Sequence, residues 1–396
     1  MMPRVFQSLL FLAVTPALIA QETARHTPQI KLPTPQPRWT VSLAKHGWTP
    51  QESESNRVFF RDMSIGKLMA LDLGIKLVFV SSDVLVAYST VKTGKNWRTA
   101  SRKLQAYFIR VSDGSLLEFQ EWTSTIRKDT SRADTESRVI PLTDGRFLVQ
   151  ANGTVMLYGS GLSLIRELKL NPFGPTEMWG VQRIADGREI FLRHESSICP
   201  GRNHCLPEYE WRDAETFQLL SKSVGDDSDG RDVRGAEDGA FIAWTSPGYS
   251  IFRPNQPLRK ICSDPLCNRI GIDDAGSSKC LVVSSEWDGI GVVDRQRGLL
   301  WFDSPAPTND PHNLSFGFVG TSLSGSRFAF WVSAFKKGVF DSVLVRRMVL
   351  FVFDIDNPKH VFAMAEPSGG AVYALSPDGK QIAAFDDKGL HLYDVP

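Results

Sequence analysis

The stretch Leu375–Pro396, LSPDGKQIAAFDDKGLHLYDVP, holds three short runs of alternating apolar residues separated by turn residues. Alternation with a period of two, broken by Asp-Gly and Asp-Lys-Gly, is the pattern of antiparallel strands joined by tight turns. A sheet of three strands with an open edge would leave a row of unpaired backbone groups, so a fourth strand has to come from elsewhere in the chain.

Working back from this stretch, the same kind of turn recurs in VSSDVLVAY, LTDGRFLV, IADGREIFL, AEDGAFIAW, IDDAGSSKCLVV and SLSGSRFAFW, seven in all. A second kind alternates with it, in IRVSDGSLLEF, LYGSGLSLI, EWRDAETFQLL, FRPNQPLRKI, VVDRQRGLLWF and FDIDNPKHVFAM, and a seventh would fall at LYDVP. Two hairpins per unit, repeated at intervals of about 40 to 60 residues, predict an all-β fold: a β-propeller of seven four-stranded blades. An N-terminal strand is expected to supply the missing member of the last blade. RVFFRD at 57–62 and GKLMALDL at 66–73 are the candidates apolar enough to do so.

The residues Ser376-Pro377-Asp378-Gly379-Lys380, followed by an apolar run and then LHLYDV, resemble the WD40-like repeat in the propeller of TolB-type proteins. The resemblance covers the C-terminal repeat well. The other units match as degenerate versions, and the Trp-Asp that closes a true WD40 strand is absent at its place. Trp287-Asp288 lies in a different turn. The resemblance implies the propeller fold and an exported interaction module.

At the other end, residues 1–20 carry a cation at Arg4, an apolar run from Val5 to Val14, the breaker Pro16, and small residues at Ala17 and Ala20. This is the layout of a cleaved export signal. No later stretch reaches the roughly 18 apolar residues of a membrane span, so a soluble periplasmic or extracellular chain is expected. Residues 21–38, with prolines at 28, 33, 35 and 37, are expected to form a linker, leaving 39–396 as a single propeller domain. Without Arg4 the 45 basic residues fall to 44, against 44 acidic ones, which gives a nucleic-acid partner no support.

In an up-and-down blade both kinds of tight turn lie at one end. The long or chemically unusual segments then fall at the other: 91–103, 123–138, 171–179, 194–210, 224–232, 262–269, 285–290, 304–315 and 333–342. Loops held on a rigid scaffold are where binding residues concentrate, so this end is taken as the functional face. Trp97, Trp179 and Trp287 are its candidate anchors, with Lys95, Arg98, Lys336 and Lys337 as polar contacts, for a protein or glycan partner. Trp122, Trp244, Trp301 and Trp331 fall in strand runs and are assigned to packing. Lys92, Lys95, Arg98, Arg102 and Lys103 make 91–103 a basic segment with no acid in it.

In an exported chain, CPGRNHC and CSDPLC suggest disulfides among Cys199, Cys205, Cys262 and Cys267. Each motif would close a small loop, and crossed pairing stays open. Cys280 is assigned as a buried thiol. A zinc site from Cys199, His204, Cys205, Cys262 and Cys267 has no known finger spacing, and GDDSDGRD at 225–232 lacks the first and last ligands of a calcium loop. With no H-E-x-x-H, G-x-S-x-G or Walker loop, neither metal nor cofactor is expected. A non-catalytic binding protein is the leading reading. The alternative is a hydrolase or lyase with carboxylates gathered at the funnel mouth. If the signal is cleaved, intact-mass analysis of the exported chain should show Gln21 at its N-terminus; an exported chain retaining Met1 would refute the assignment.

Overall fold

The computed structural model describes residues 35–48, 75–93, 101–124, 137–151, 153–170, 177–184, 187–196, 208–224, 234–235, 241–245, 248–252, 259–260, 271–274, 279–284, 289–294, 298–303, 314–337, 343–365, 371–386 and 388–396. Among them the strands fall into seven four-stranded antiparallel sheets. The chain begins with β1 (Trp39–Val41), and the first full sheet is β2 (Ile75–Phe79), β3 (Val84–Thr93), β4 (Ser101–Arg110) and β5 (Leu116–Ser124). The second is β6 (Arg138–Pro141), β7 (Phe147–Ala151), β8 (Thr154–Tyr158) and β9 (Leu164–Lys169). The third is β10 (Glu177–Ile184), β11 (Glu189–Ser196), β12 (Glu208–Asp213) and β13 (Leu219–Val224).

The fourth comprises β14 (Arg234–Gly235), β15 (Phe241–Thr245), β16 (Gly248–Phe252) and β17 (Arg259–Lys260). The fifth is β18 (Gly271–Asp274), β19 (Lys279–Ser284), β20 (Gly289–Asp294) and β21 (Gly298–Asp303). The sixth is β22 (Leu314–Thr321), β23 (Arg327–Lys337), β24 (Val343–Asp354) and β25 (His360–Ala365). The seventh joins β26 (Val372–Leu375), β27 (Gln381–Asp386) and β28 (Gly389–Asp394) to β1.

Within the first six sheets the strands pair in chain order, the seventh differing by its outer strand β1, and first strands of successive sheets adjoin: β26 with β2, then β2 with β6, β6 with β10, β10 with β14 and β14 with β18. This is the arrangement of a β-propeller. Its apolar cores lie between sheets. Phe330, Phe351 and Phe353 of the sixth sheet pack with Ile290 and Val292 of the fifth. Their strand neighbours Ala329, Leu350 and Val352 face the seventh sheet and meet Leu375, Ile382 and Ala384. Successive residues thus serve opposite cores, which is why inner strands such as β7 are buried at every position.

The two tight turns of a sheet are tied together. The residue following the third strand donates its amide to the first turn: Val111 to Asp83, Ala214 to Arg188, Ile355 to Ser326 and Val395 to Lys380, at 2.8–2.9 Å. This closes the end of each of these sheets without using solvent.

The strand that completes the last sheet differs from the one expected. It is β1, paired as Trp39 with Leu392, Thr40 with His391 and Val41 with Leu390; 57–62 and 66–73 lie outside the described residues. Outer strands are largely exposed, so apolar content was the wrong criterion. β1 also ties the seventh sheet to the first. The Trp39 indole N–H donates to the Val111 carbonyl at 2.8 Å, and beyond β1, Leu43 and Trp48 enter the core that both sheets share. Trp301 of β21 makes the equivalent bond to Ile355 of the next sheet, at 2.9 Å.

Gly114, at φ 74°, sits under this strand. A Cβ there would lie 2.7 Å from Val41 Cγ2 and 3.0 Å from the Trp39 ring. Gly114→Ala is expected to destabilise the chain by about 2 kcal/mol, combining left-handed strain with the clash, as read from the urea midpoint. An unchanged midpoint would show that β1 does not press on this turn.

Candidate functional site

The two ends of the sheets differ in how their polar groups are used. At the tight-turn end they are consumed locally. Asp213 Oδ1 accepts from the Thr216 hydroxyl and amide, both at 2.7 Å, and these bonds hold its carboxyl below the ordinary range. Asp378 accepts from the Ser376 hydroxyl and the Lys380 amide, and Asp144 from Arg146. Side chains bonded to their own turn have little left for a ligand.

The other end carries the long connections. They span 94–100 after β3, 125–136 after β5, 171–176 after β9, 197–207 after β11, 225–233 after β13, 261–270 after β17, 285–288 after β19, 304–313 after β21 and 338–342 after β23. Trp97, Lys95, Arg98, Trp287, Cys199, Cys205, Cys262 and Cys267 belong to these connections and lie outside the described residues. Three other candidates fall on strands, where loops were expected. Trp179 is in β10 opposite His194, and Lys336 and Lys337 end β23 opposite Leu344 and Val343. All three sit at the long-connection ends of their strands. Cys280 is in β19, opposite Asp274 and Val293.

The basic segment 91–103 is corrected in the same way. Lys92 lies on β3, Arg102 and Lys103 lie on β4, and Lys103 is ion-paired with Glu121 of β5. Glu121 also accepts from Gln105 Nε2 at 3.0 Å, and these two hydrogen bonds, Gln105's the larger, lower its carboxyl pKa. The acid that neutralises this stretch is close in space through the β4–β5 pairing and distant in sequence. Next to it, the Trp122 indole donates to the Tyr158 hydroxyl of the second sheet at 2.9 Å, which confirms packing as its role.

Beside the candidate anchor Trp179, the third sheet brings together residues that the sequence did not single out. Trp179, His194, Glu208 and Val224 stand opposite one another across β10, β11, β12 and β13. Glu208 Oε2 accepts from Lys222 Nζ at 2.9 Å and lies 3.6 Å from His194 Nδ1. Lys222 stands in turn 3.9 Å from Glu210, which Arg212 holds at 2.8 Å. Glu208 and Lys222 are about two-fifths exposed, and Val224 is 57% exposed at the rim. The row and Lys222 beside it therefore offer a carboxylate, an ammonium and an imidazole beside the connection that carries Cys199 and Cys205. Such a set suits polar recognition of a ligand surface. Strand alternation carried a signal for Glu208, had the strand been extended into the segment 194–210 taken as a loop.

No helix among the described residues is long and apolar enough to cross a membrane. No protein-family model and no curated protein matches the chain. Among solved structures it is similar to the WD40 domain of Neurospora crassa Pan2, at 9% identity over 81% of this chain and 88% of that one, with a TM-score of 0.44. It is also similar to the Dos1 propeller, at 12% identity over 81% and 78%, TM-score 0.41. Hsv2 of Kluyveromyces lactis is similar at 16% identity over 66% and 74%, TM-score 0.39. At these scores the propeller fold rests on the chain's own strand pairing.

The Lys222 hydrogen bond, followed by the charges of Lys222 and His194, holds the Glu208 carboxyl below its ordinary range. A carboxylate lowered in the folded state contributes stability above its unfolded value and loses it as pH falls through the folded one. An NMR titration should therefore give Glu208 a lower midpoint than an exposed glutamate, returning to the ordinary range in Lys222→Met. A midpoint at or above the ordinary range would remove the pair.

Proposed function

We propose that the chain is an exported, non-catalytic propeller of seven blades, closed into a ring by β1, which binds a protein partner through its long-connection end. The observation that carries this reading is the asymmetry between the ends. The described tight turns use up their own polar groups, whereas the longest connections, 94–100, 125–136, 197–207, 225–233, 261–270 and 304–313, leave from the opposite end, beside the exposed Glu208–Lys222 pair. A scaffold buried between sheets holds such connections at fixed separations, which lowers the ordering cost of binding. In this reading Trp97 and Trp287 are the anchors, with Trp179 at the strand end beside them. Lys95, Arg98, Lys336 and Lys337 supply the polar rim, and Cys199, Cys205, Cys262 and Cys267 brace the connections as disulfides.

The test is capture of partners from the exported fraction by immobilised residues 21–396. Trp97→Ala with Trp287→Ala should weaken capture by about tenfold or more and leave the melting temperature within about 2 °C. Leu164→Ser, on the outer strand of the second sheet near the tight turns, should leave capture intact. Loss of capture in Leu164→Ser alone would move the interface to the other end. Elution by free sugars would make the partner a glycan, and turnover of the captured molecule would make the chain an enzyme.

A further inference from the structure

The edge of β28 carries a buried polar pair. His391 Nε2 lies 2.9 Å from Asp386 Oδ1, and its Nδ1 lies 3.0 Å from the Thr40 hydroxyl of β1. The His391 and Asp386 side chains are 9% and 4% exposed. The same Asp386 oxygen accepts the Lys388 amide at 2.8 Å and the Gly389 amide at 3.2 Å. An oxygen that gathers several donors acts as an acceptor, so Nε2 faces it with a proton. In the tautomer protonated only there, Nδ1 presents a lone pair and Thr40 donates to it. The pair thus faces the incoming strand as an acceptor of one hydroxyl proton.

The flanking positions are matched as closely. Before the hydroxyl, an indole N–H reaches the Val111 carbonyl, and after it Val41 fits where Gly114 leaves room. Gly389 allows the approach on the other side: a Cβ there would lie 2.5 Å from the Val41 carbonyl oxygen. Three consecutive residues are therefore met by three different chemistries on β28 and the β4–β5 turn.

We infer that this edge is a strand-recognition site, whose ligand is an extended peptide with an indole, a donor hydroxyl and a branched aliphatic side chain in consecutive positions. Residues 39–41 occupy it in cis, and His391, held by Asp386, is its specificity element. Main-chain pairing supplies affinity that any strand could share. The hydroxyl supplies discrimination, because a strand with a methyl in its place leaves a desolvated ring nitrogen without a donor. The site goes beyond the partner surface proposed above and lies on a different edge of the fold.

The experiment compares hydrogen exchange of residues 39–41 in the full chain, Thr40→Val and Thr40→Ser. Thr40→Val should exchange about tenfold faster at β1, with β6–β9 unchanged, and Thr40→Ser should match the natural chain. A fluorescent peptide with the sequence of residues 35–48 should then bind the Thr40→Val chain. The same peptide with valine for the threonine should bind about tenfold more weakly. Equal binding of the two peptides, unchanged exchange in Thr40→Val, or equal loss in Thr40→Ser would each overturn the inference.

Discussion

A β-sheet that packs both its faces still has two open edges, and everything in this molecule depends on how those edges are managed. The inner edges of sheets one to five lie beside one another in order, and that of the seventh lies beside those of the first and the sixth. The outer edge is left to strands such as β9, whose side chains are exposed at five of six positions. The seventh sheet leaves the outer edge of its third strand to be covered from elsewhere in the chain. Trp39–Val41 resolves this, and the same three residues also bond and pack against the first sheet. Edge pairing and the joining of two sheets are thus one interaction.

Burial on both faces explains the composition of the strands. Phe328, Phe330, Phe351 and Phe353 form a connected set of rings with centroids 5.4–6.2 Å apart, extended by Trp301. Small residues stand among the large ones on the same strands, Ala329 between Phe328 and Phe330, and Ala383 and Ala384 between Ile382 and Phe385. Large and small side chains in alternation let wedge-shaped gaps between sheets fill without voids. The polar ends of the strands extend beyond these cores and carry charged pairs at both ends, Lys103–Glu121 and Lys222–Glu208 at the long-connection end and Arg146–Asp144 and Arg327–Asp354 at the tight-turn end.

The sequence made the hairpins legible because their turns have strict chemical demands. Gly145, Gly187, Gly325 and Gly379 all take positive φ in the first turns of their sheets, where few other residues are tolerated. The closing strand was not legible. It has three residues, stands next to prolines, and is only partly buried, so more apolar segments drew attention away from it. Strand ends were misread for a related reason: Lys103, Trp179, Lys336 and Lys337 lie where pairing continues after the core has ended. The Thr40–His391–Asp386 chain joins residues separated by up to 351 positions, and no local pattern could relate them.

That separation also orders events in time. A ribosome delivers Trp39, Leu43 and Trp48 long before β28 exists, so these side chains have only their first-sheet partners until the last sheet is made. Contacts this distant are slow to form, because the whole intervening chain must be brought into place first. The other sheets are built from neighbouring strands and can assemble as they emerge. The first described strand of the chain therefore gains its β28 partner last, after the strands of every intervening sheet have been made.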